Sequence, residues 1–383
     1  MNGFTWYSPV KIFAGRGVLA LAGREAAALG RRVLFVYGRG SLLRSGAHRA
    51  LTASLKKAGL GIVEHPGVQP NPVVSHVGAG VAQARRRRCD VVLAAGGGSV
   101  MDEAKAIAAA FYHDGDPWDL LSGRAPVARA LPVICAPTVP ASGSETNSGF
   151  VITNEVLRAK REAHADACCP RAALLDPAAA AGLPRRVLGG SAVDILSHLL
   201  EGYLTAAAPR PAVTDELVHG LARAVVSSAR AALRSRRGDA LLELMWEASL
   251  AANGLCVCGY RGHYYLAHAL EHSLSALHGV PHGEGLAMIL PAYLRAWTLK
   301  RSPGRLGAFG RAVFGLKGAS APARTAEALE SLFGELGAPT RLGKAGIGRA
   351  DLPALVQNAL GNIEAWKIDC GREEAAAVLK AAL

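Results

Sequence analysis

Residues 262–284 read GHYYLAHALEHSLSALHGVPHGE and hold five of the chain's 12 histidines: His263, His268, His272, His278 and His282. Leu266, Ala269, Leu270, Leu274 and Leu277 recur at helical spacing. His268 and His272, four apart, therefore share one helix face. Gly279 and Pro281 stop that helix. His282 follows at once, where the returning chain can bring it back beside His268. Two imidazoles on adjacent rigid elements make half of a metal site. The plain alternative is a row of polar histidines on a solvated face, so further donors must come from elsewhere.

Around this stretch, long Ala- and Leu-rich segments with 3.6-residue periodicity predict helices over 191–206, 212–235, 239–257, 262–278, 283–299, 321–336, 351–360 and 372–382. Upstream the pattern changes. Short apolar runs at 10–13, 32–37, 61–65, 90–95, 131–136 and 172–175 read as strands, bounded by Gly, Pro and Asn turns. Helical segments, including 73–86 and one from about residue 100, lie between them. Such alternation predicts an α/β domain with a mostly parallel sheet. The expected organisation is an α/β dinucleotide-binding domain over 1–178 and an all-α domain over 179–383.

Composition narrows the function classes. With 383 residues, half of them hydrophobic, the chain suits two folded domains of ordinary size. The net charge of +13 is dispersed. Its one dense run, 85–88, lacks the interleaved aromatics of a single-strand binder, so a basic helix end is expected and nucleic acid is not a predicted partner. The seven cysteines form no C-x-x-C pair, which fits thiols in a reducing cytoplasm. No signal peptide is evident and no apolar run reaches membrane-spanning length, so no membrane partner is expected.

Three further motifs carry chemistry. Gly96-Gly97-Gly98-Ser99 joins a strand to a helix, where a glycine turn presents backbone N–H groups to a phosphate. Asp102 lies one turn into that helix. The loop 137–146, PTVPASGSET, is dense in small hydroxyl residues and follows a strand end, where open α/β sheets bind ligands; a capped helix start is its plain reading. In 191–203, SAVDILSHLLEGY, Asp194, His198 and Glu201 fall on one face of an otherwise apolar helix. Burying Asp194 and His198 without a partner is costly, and a divalent metal would satisfy both. Asp194, His198, His268 and His282 then make a one-carboxylate, three-imidazole set suited to Fe2+ or Zn2+.

Taken in order, GGGSVMDEAK (96–105), PTVPASGSETN (137–147), DILSHLLEGY (194–203) and HALEHSLSALHGVPHGEGLAMILP (268–291) resemble the iron-containing (group III) alcohol dehydrogenases. Within them the chain looks like the NADPH-dependent aldehyde reductase and butanol dehydrogenase branch, and the resemblance covers nearly its whole length. It implies the dehydroquinate synthase-like fold and metal ligation by Asp194, His198, His268 and His282. Pyrophosphate binding by Gly96, Gly97 and Gly98 is implied too, with Ser99 and Asp102 lining the cofactor cleft. It further implies a second cofactor loop at Thr138, Ser142 and Ser144, a ribose contact from Lys160, and His272 near nicotinamide and substrate. A homodimer is expected by the same analogy. The implied reaction is metal-dependent hydride transfer between a nicotinamide cofactor and an aldehyde or primary alcohol, with His272 the candidate proton carrier. A lyase of the dehydroquinate synthase type, which shares the architecture, is the alternative.

Cofactor choice is argued from the residues. After the second strand comes Gly38-Arg39-Gly40-Ser41, with no carboxylate to repel a 2′-phosphate. A guanidinium, a hydroxyl and glycine N–H groups favour one instead, so Gly38, Arg39 and Ser41 point to NADP(H) over NAD(H). Tyr260–Tyr265 lies just before the ligand helix, where the resemblance places the walls of the substrate pocket.

Overall fold

Strands β4 (Val91–Gly96) and β5 (Val133–Pro137) are buried along their whole length, and this follows from helices covering both faces of their sheet. The computed structural model describes residues 2–235 and 238–383. Within them the chain forms two compact units. One comprises Tyr7–Leu183 with Ser235–Ser249; the other comprises Met1–Trp6, Pro184–Arg234 and Leu250–Leu383. The division thus falls at Leu183/Pro184, just before the first long helix, and two short segments group against sequence order.

The α/β unit adds β1 (Lys11–Ala14), β2 (Arg32–Gly38), β3 (Gly61–Val68) and β8 (Ala172–Leu175) to those two strands. All six are parallel, in the order β1-β8-β5-β4-β2-β3. The longer helices that accompany them are α1 (Ala22–Ala27), α2 (Ala47–Lys57), α3 (Val74–Arg86) and α4 (Gly98–Ala110). Alternate strand residues serve opposite faces. Leu34, Val36, Val92, Ala94 and Val133 pack with Val77 and Val81 of α3 and with Met101 and Ala104 of α4. Val33, Phe35, Val91, Leu93 and Ile134 pack with Ala22 and Ala26 of α1 and Leu51 and Leu55 of α2. Each such side chain removed from water contributes roughly 1.5–3 kcal/mol when it is Val, Leu, Ile or Phe. From β2 the order runs to β3 on one side and β4 on the other. The switch point of the sheet therefore lies between the carboxyl ends of β2 and β4.

A second, antiparallel sheet pairs β6 (Gly149–Asn154) with β7 (Ala159–His164). The sequence offers little warning of it, because AKREAH has no apolar alternation. Its turn is set locally: Asn154 Oδ1 accepts the Val156 and Leu157 N–H groups, and Arg158 takes φ 50°. The hairpin is held by Lys105, fully buried on α4. Its Nζ donates to the Ser144 and Asn147 carbonyls, to Asn147 Oδ1 and to the Gly149 carbonyl.

The helical unit contains α5 (Arg185–Thr205), most of α6 (Ala212–Ser235), α8 (Leu266–His278), α9 (His282–Tyr293), α10 (Pro303–Phe314), α11 (Ala321–Glu335), α12 (Leu352–Ala365) and α13 (Arg372–Ala381). Helix α7 (Asp239–Ala252) lies mainly in Ser235–Ser249, which groups with the α/β unit. Helix α7 ends before residue 257 because Gly254 takes φ 85°. Helix α8 starts at Leu266 rather than 262, since Gly262 takes φ 58° and Tyr265 is non-helical. It ends as expected on Gly279, at φ 66°. Beyond Pro291, α9 passes into a π-helical turn at Leu294–Thr298. Helix α10, unforeseen in the sequence, has Pro303 in its first turn and Gly315 as a left-handed cap, both readable start and stop signals. Among the described residues no helix is long and apolar enough to cross a membrane.

The Lys105 clamp yields a stability prediction. Lys105→Met strands buried carbonyls and is expected to lower unfolding free energy by roughly 3–5 kcal/mol in urea titrations. A loss under about 1 kcal/mol would mean that the hairpin holds without it.

Candidate metal centre and nucleotide cradle

Helix α5 is apolar almost all round, which marks a central helix, and Asp194 lies buried on it at 3% exposure. His198 follows one turn later, its Nε2 3.8 Å from Asp194 Oδ1. Helix α8 brings His268, and the first residue of α9 is His282, whose Nε2 lies 3.6 Å from the same Asp194 oxygen. Donor atoms of Asp194, His268 and His282 all fall within 4.8 Å of one another. His198 sits at the edge of this group, its ring centroid 5.0 Å from that of His268. The structure thus brings together all four residues expected as ligands.

Their orientation comes from two buried glutamates. Glu201 of α5 accepts from His268 Nδ1 and, at 2.6 Å, from the Ala267 N–H. Glu271 of α8 accepts from His282 Nδ1 and from Ser275 Oγ. Each pairing places the proton on Nδ1 and leaves Nε2 as a lone-pair donor. His268 Nε2 and Asp194 Oδ1 are buried without a hydrogen-bond partner. Burial pulls the His268 pKa down, but Glu201, Asp194 and Glu271 outweigh it, and the net shift is upward. That local surplus of carboxylate suits a divalent cation. Burial, aided by His268 and His282, lowers His198 to about 4, so it is a neutral imidazole at neutral pH. The donors and their environment therefore fit one metal ion.

Close helix contact makes this geometry possible. A Cβ on Gly283 would collide with the Gly190 backbone, and one on Gly285 with the Glu271 carboxylate. Arg186 of α5 pairs with Glu284 of α9. His272 lies one turn from His268, with its ring 5.8 Å from His282 and edge-on to Trp366 at 5.3 Å. The Tyr260–Tyr265 cluster divides. Tyr265 meets the His268 ring edge-on at 5.6 Å, whereas Tyr260 donates to Asp215, which Arg305 also holds at 2.9 Å.

In the α/β unit the expected cofactor residues cluster at strand carboxyl ends. Gly38 closes β2, Gly96 closes β4, and Gly97 precedes α4, whose N-terminus has no side-chain cap. Its first N–H groups are therefore available to an anion. The glycines also answer to packing. A Cβ on Gly96 would strike Val100, and one on Gly98 would lie 2.5 Å from Ser142 Oγ. Ser99 is the second residue of α4. The Thr138 N–H donates to the Gly96 carbonyl at 2.8 Å, joining the two loops. Arg39 Nη2 donates to Gln69 Oε1 at 2.9 Å; the side chain of Ser41 lies outside the described residues. Lys160 is buried on β7 and donates to Asn71 Oδ1 at 3.1 Å.

Asp102 turns inward. It accepts from Ser144 Oγ at 2.6 Å and from the Val151 N–H at 3.2 Å, so both Asp102 and Ser144 brace the second loop. Burial raises the Asp102 pKa, opposed by Lys105, Ser144 and Lys160.

Comparison with known proteins agrees with both halves. The sequence profile for iron-containing alcohol dehydrogenase matches residues 9–177, and that for the C-terminal part of the Fe-containing alcohol dehydrogenase family matches 190–383. The chain belongs to the iron-containing alcohol dehydrogenase family, and it is an oxidoreductase of that class. It is 34% identical to the probable NADH-dependent butanol dehydrogenase 1 of Bacillus subtilis (strain 168), with 100% of each chain covered. It is 33% identical to the NADPH-dependent aldehyde reductase YqhD of Escherichia coli (strain K12), covering 93% of this chain and 92% of that one. The crystal structure of NADH-dependent butanol dehydrogenase A from Thermotoga maritima superposes with a TM-score of 0.95 at 34% identity, covering 100% of this chain and 99% of that one.

Sequence reasoning overlooked Glu271 and Trp366, and saw Glu201 only as a helix-face residue. Glu201, one turn past His198, and Glu271, one turn past His268, were the available signal. Glu271→Gln keeps the volume of the side chain but weakens its hold on His282. It is expected to lower metal affinity roughly 10–100-fold in competition with a chromogenic chelator; unchanged affinity would make Glu271 a packing residue only.

Proposed function

We propose that the chain catalyses reversible hydride transfer between NADP(H) and an aldehyde, giving a primary alcohol, with one divalent metal, Fe2+ or Zn2+, held by Asp194, His198, His268 and His282. The observation that carries this reading is the buried cup in which Asp194 Oδ1 and His268 Nε2 lack hydrogen-bond partners while glutamates hold the opposite imidazole nitrogens. In this reading residues 1–178 serve the cofactor and 179–383 the metal. When bound, the metal supplies Lewis acidity toward the carbonyl oxygen, and the nicotinamide carries the hydride.

The protein's own groups do the rest. Glu201 and Glu271 keep the ligating imidazoles in one tautomer and orientation. Backbone N–H groups at Gly96, Gly97 and Gly98, with Ser99, bind the pyrophosphate at the uncapped start of α4. Thr138, Ser142 and Ser144 shape the second loop, braced by Asp102, and Lys160 reaches the ribose. His272 hands a proton toward the alkoxide as the aldehyde is reduced, and takes it back in the oxidative direction. NADP(H) is favoured because Gly38 ends β2 and Arg39 and Ser41 follow it, with no carboxylate among them. Relatives of both preferences exist, the Bacillus protein named for NADH and the Escherichia protein for NADPH. The same relatives, being alcohol and aldehyde oxidoreductases by name, weigh against a lyase. A cytoplasmic homodimer completes the reading, supported by seven unpaired thiols and by analogy.

Two outcomes test it. Chelator-stripped enzyme should lose NADPH-dependent reduction of an aldehyde panel by roughly 100-fold or more, and Fe2+ or Zn2+ should restore it; activity indifferent to metal would remove the assignment. Arg39→Asp should shift the NADPH/NADH ratio of kcat/KM by roughly 10–100-fold toward NADH, the scale of one charged hydrogen bond. An unchanged ratio would place the 2′-phosphate elsewhere.

A further inference from the structure

The α/β unit contains a second set of donors. His65 comes from β3, His76 from the first turn of α3 and Glu103 from α4; one donor atom of each lies within 4.8 Å of the others. Glu103 is fully buried and His65 is 6% exposed. Glu103 Oε1 is 2.6 Å from His76 Nδ1 and 3.4 Å from His65 Nε2. The two imidazoles pack with centroids 4.4 Å apart and planes at 34°.

The hydrogen bonding around His65 is informative. Gln83 Nε2 donates to the Glu64 carbonyl at 2.9 Å, which turns Gln83 Oε1 toward His65 Nδ1 at 3.0 Å. An amide oxygen only accepts, so His65 Nδ1 carries the hydrogen. A neutral His65 then presents a lone pair at Nε2 to a carboxylate oxygen. Both His65 Nε2 and Glu103 Oε2 are buried without a hydrogen-bond partner. Two acceptors facing each other in a buried site repel, and a buried carboxylate half-satisfied is costly. A cation between them turns both into ligands. Gly80 lets α3 pack close here, since a Cβ there would meet Ile107 at 2.4 Å and lie 3.0 Å from His65 Nε2.

We propose that His65, His76 and Glu103 form a second divalent-metal site, separate from the Asp194 set and suited by its two imidazoles and one carboxylate to Zn2+. Gln83 orients His65 as the glutamates orient the histidines of the first centre. Three protein ligands leave a fourth position for water. The ion reaches it through the surface pocket that His76 lines with Arg39, Gly67, Gln69 and Ser75. Bound there, it ties β3, α3 and α4 together behind the glycine turn, and it stabilises the folded state by mass action.

The test uses the full-length protein, stripped with chelator, reloaded with Zn2+, desalted and assayed by plasma mass spectrometry. Wild type is expected to retain about two ions per chain, and His76→Asn, Glu103→Gln and His268→Ala each about one. The His76→Asn/His268→Ala double variant should retain almost none. Should Glu103→Gln fold poorly, His76→Asn carries the test, because its side chain is 29% exposed. Thermal melting supplies a second readout: Zn2+ should raise the Tm of His268→Ala but not of the double variant. If wild type holds about one ion and His268→Ala releases it, the second site is overturned and the first stands. If the one ion is instead lost in His76→Asn, the second site stands and the first falls. Equal zinc in wild type and His76→Asn overturns the proposal, leaving a triad of ion-paired side chains.

Discussion

A buried carboxylate against the far nitrogen of an imidazole is the interaction on which the helical unit depends. Glu201 holds His268 and Glu271 holds His282, and both glutamates are fully buried. A charge in such a place has to be partnered, and here the partner is a side chain whose other nitrogen faces Asp194. The surrounding architecture follows. Helix α5 carries Glu201 and Asp194 through the middle of the unit and is buried along nearly its whole length. Gly283 and Gly285 lack side chains where a Cβ would push α9 away from α5 or crowd Glu271.

The α/β unit obeys the same rule with different chemistry. Lys105 is buried and Asp102 half-buried on one helix, and each bonds to the backbone and side chains of residues 144–151. Burial pushes Asp102 up and Lys105 down, while each charge opposes the shift of the other. The loop that follows β5 is therefore fixed by the helix that follows β4. The two strand-end loops next to the sheet's switch point behave as one rigid piece. That rigidity is what a phosphate-binding turn needs, since its N–H groups must point one way before the ligand arrives. Glu103, between Asp102 and Lys105 in sequence, faces another direction and meets His65 and His76.

The residues before α8 show how one segment can serve two ends. Tyr260 is bound into the Asp215–Arg305 ion pair, with Arg305 also stacked 3.6 Å from the Tyr203 ring centroid. This network anchors the segment. Tyr265, five residues on, turns its ring edge to His268. The polar and aromatic character that draws notice in the sequence is thus partly scaffold and partly contact with His268.

What the sequence by itself determined was periodic or local. Runs such as RVLFVY and DVVLAA declared buried parallel strands, Ala/Leu periodicity declared the helices, and Gly279 with Pro281 placed a helix end correctly. The four-residue spacing of Asp194 and His198 put two donors on one face. What escaped it was set by contact between distant segments. The β6–β7 hairpin depends on Lys105 and on an Asn154 turn rather than on its own apolar pattern. Asp102, expected to line a cleft, is committed to Ser144 and Val151. The roles of Glu201, Glu271 and Gly283 arise only when α5, α8 and α9 meet. Periodicity states which face of an element is buried, because that is a property of the element alone. Which buried acid meets which imidazole is a property of packing, and the tertiary structure alone decided it.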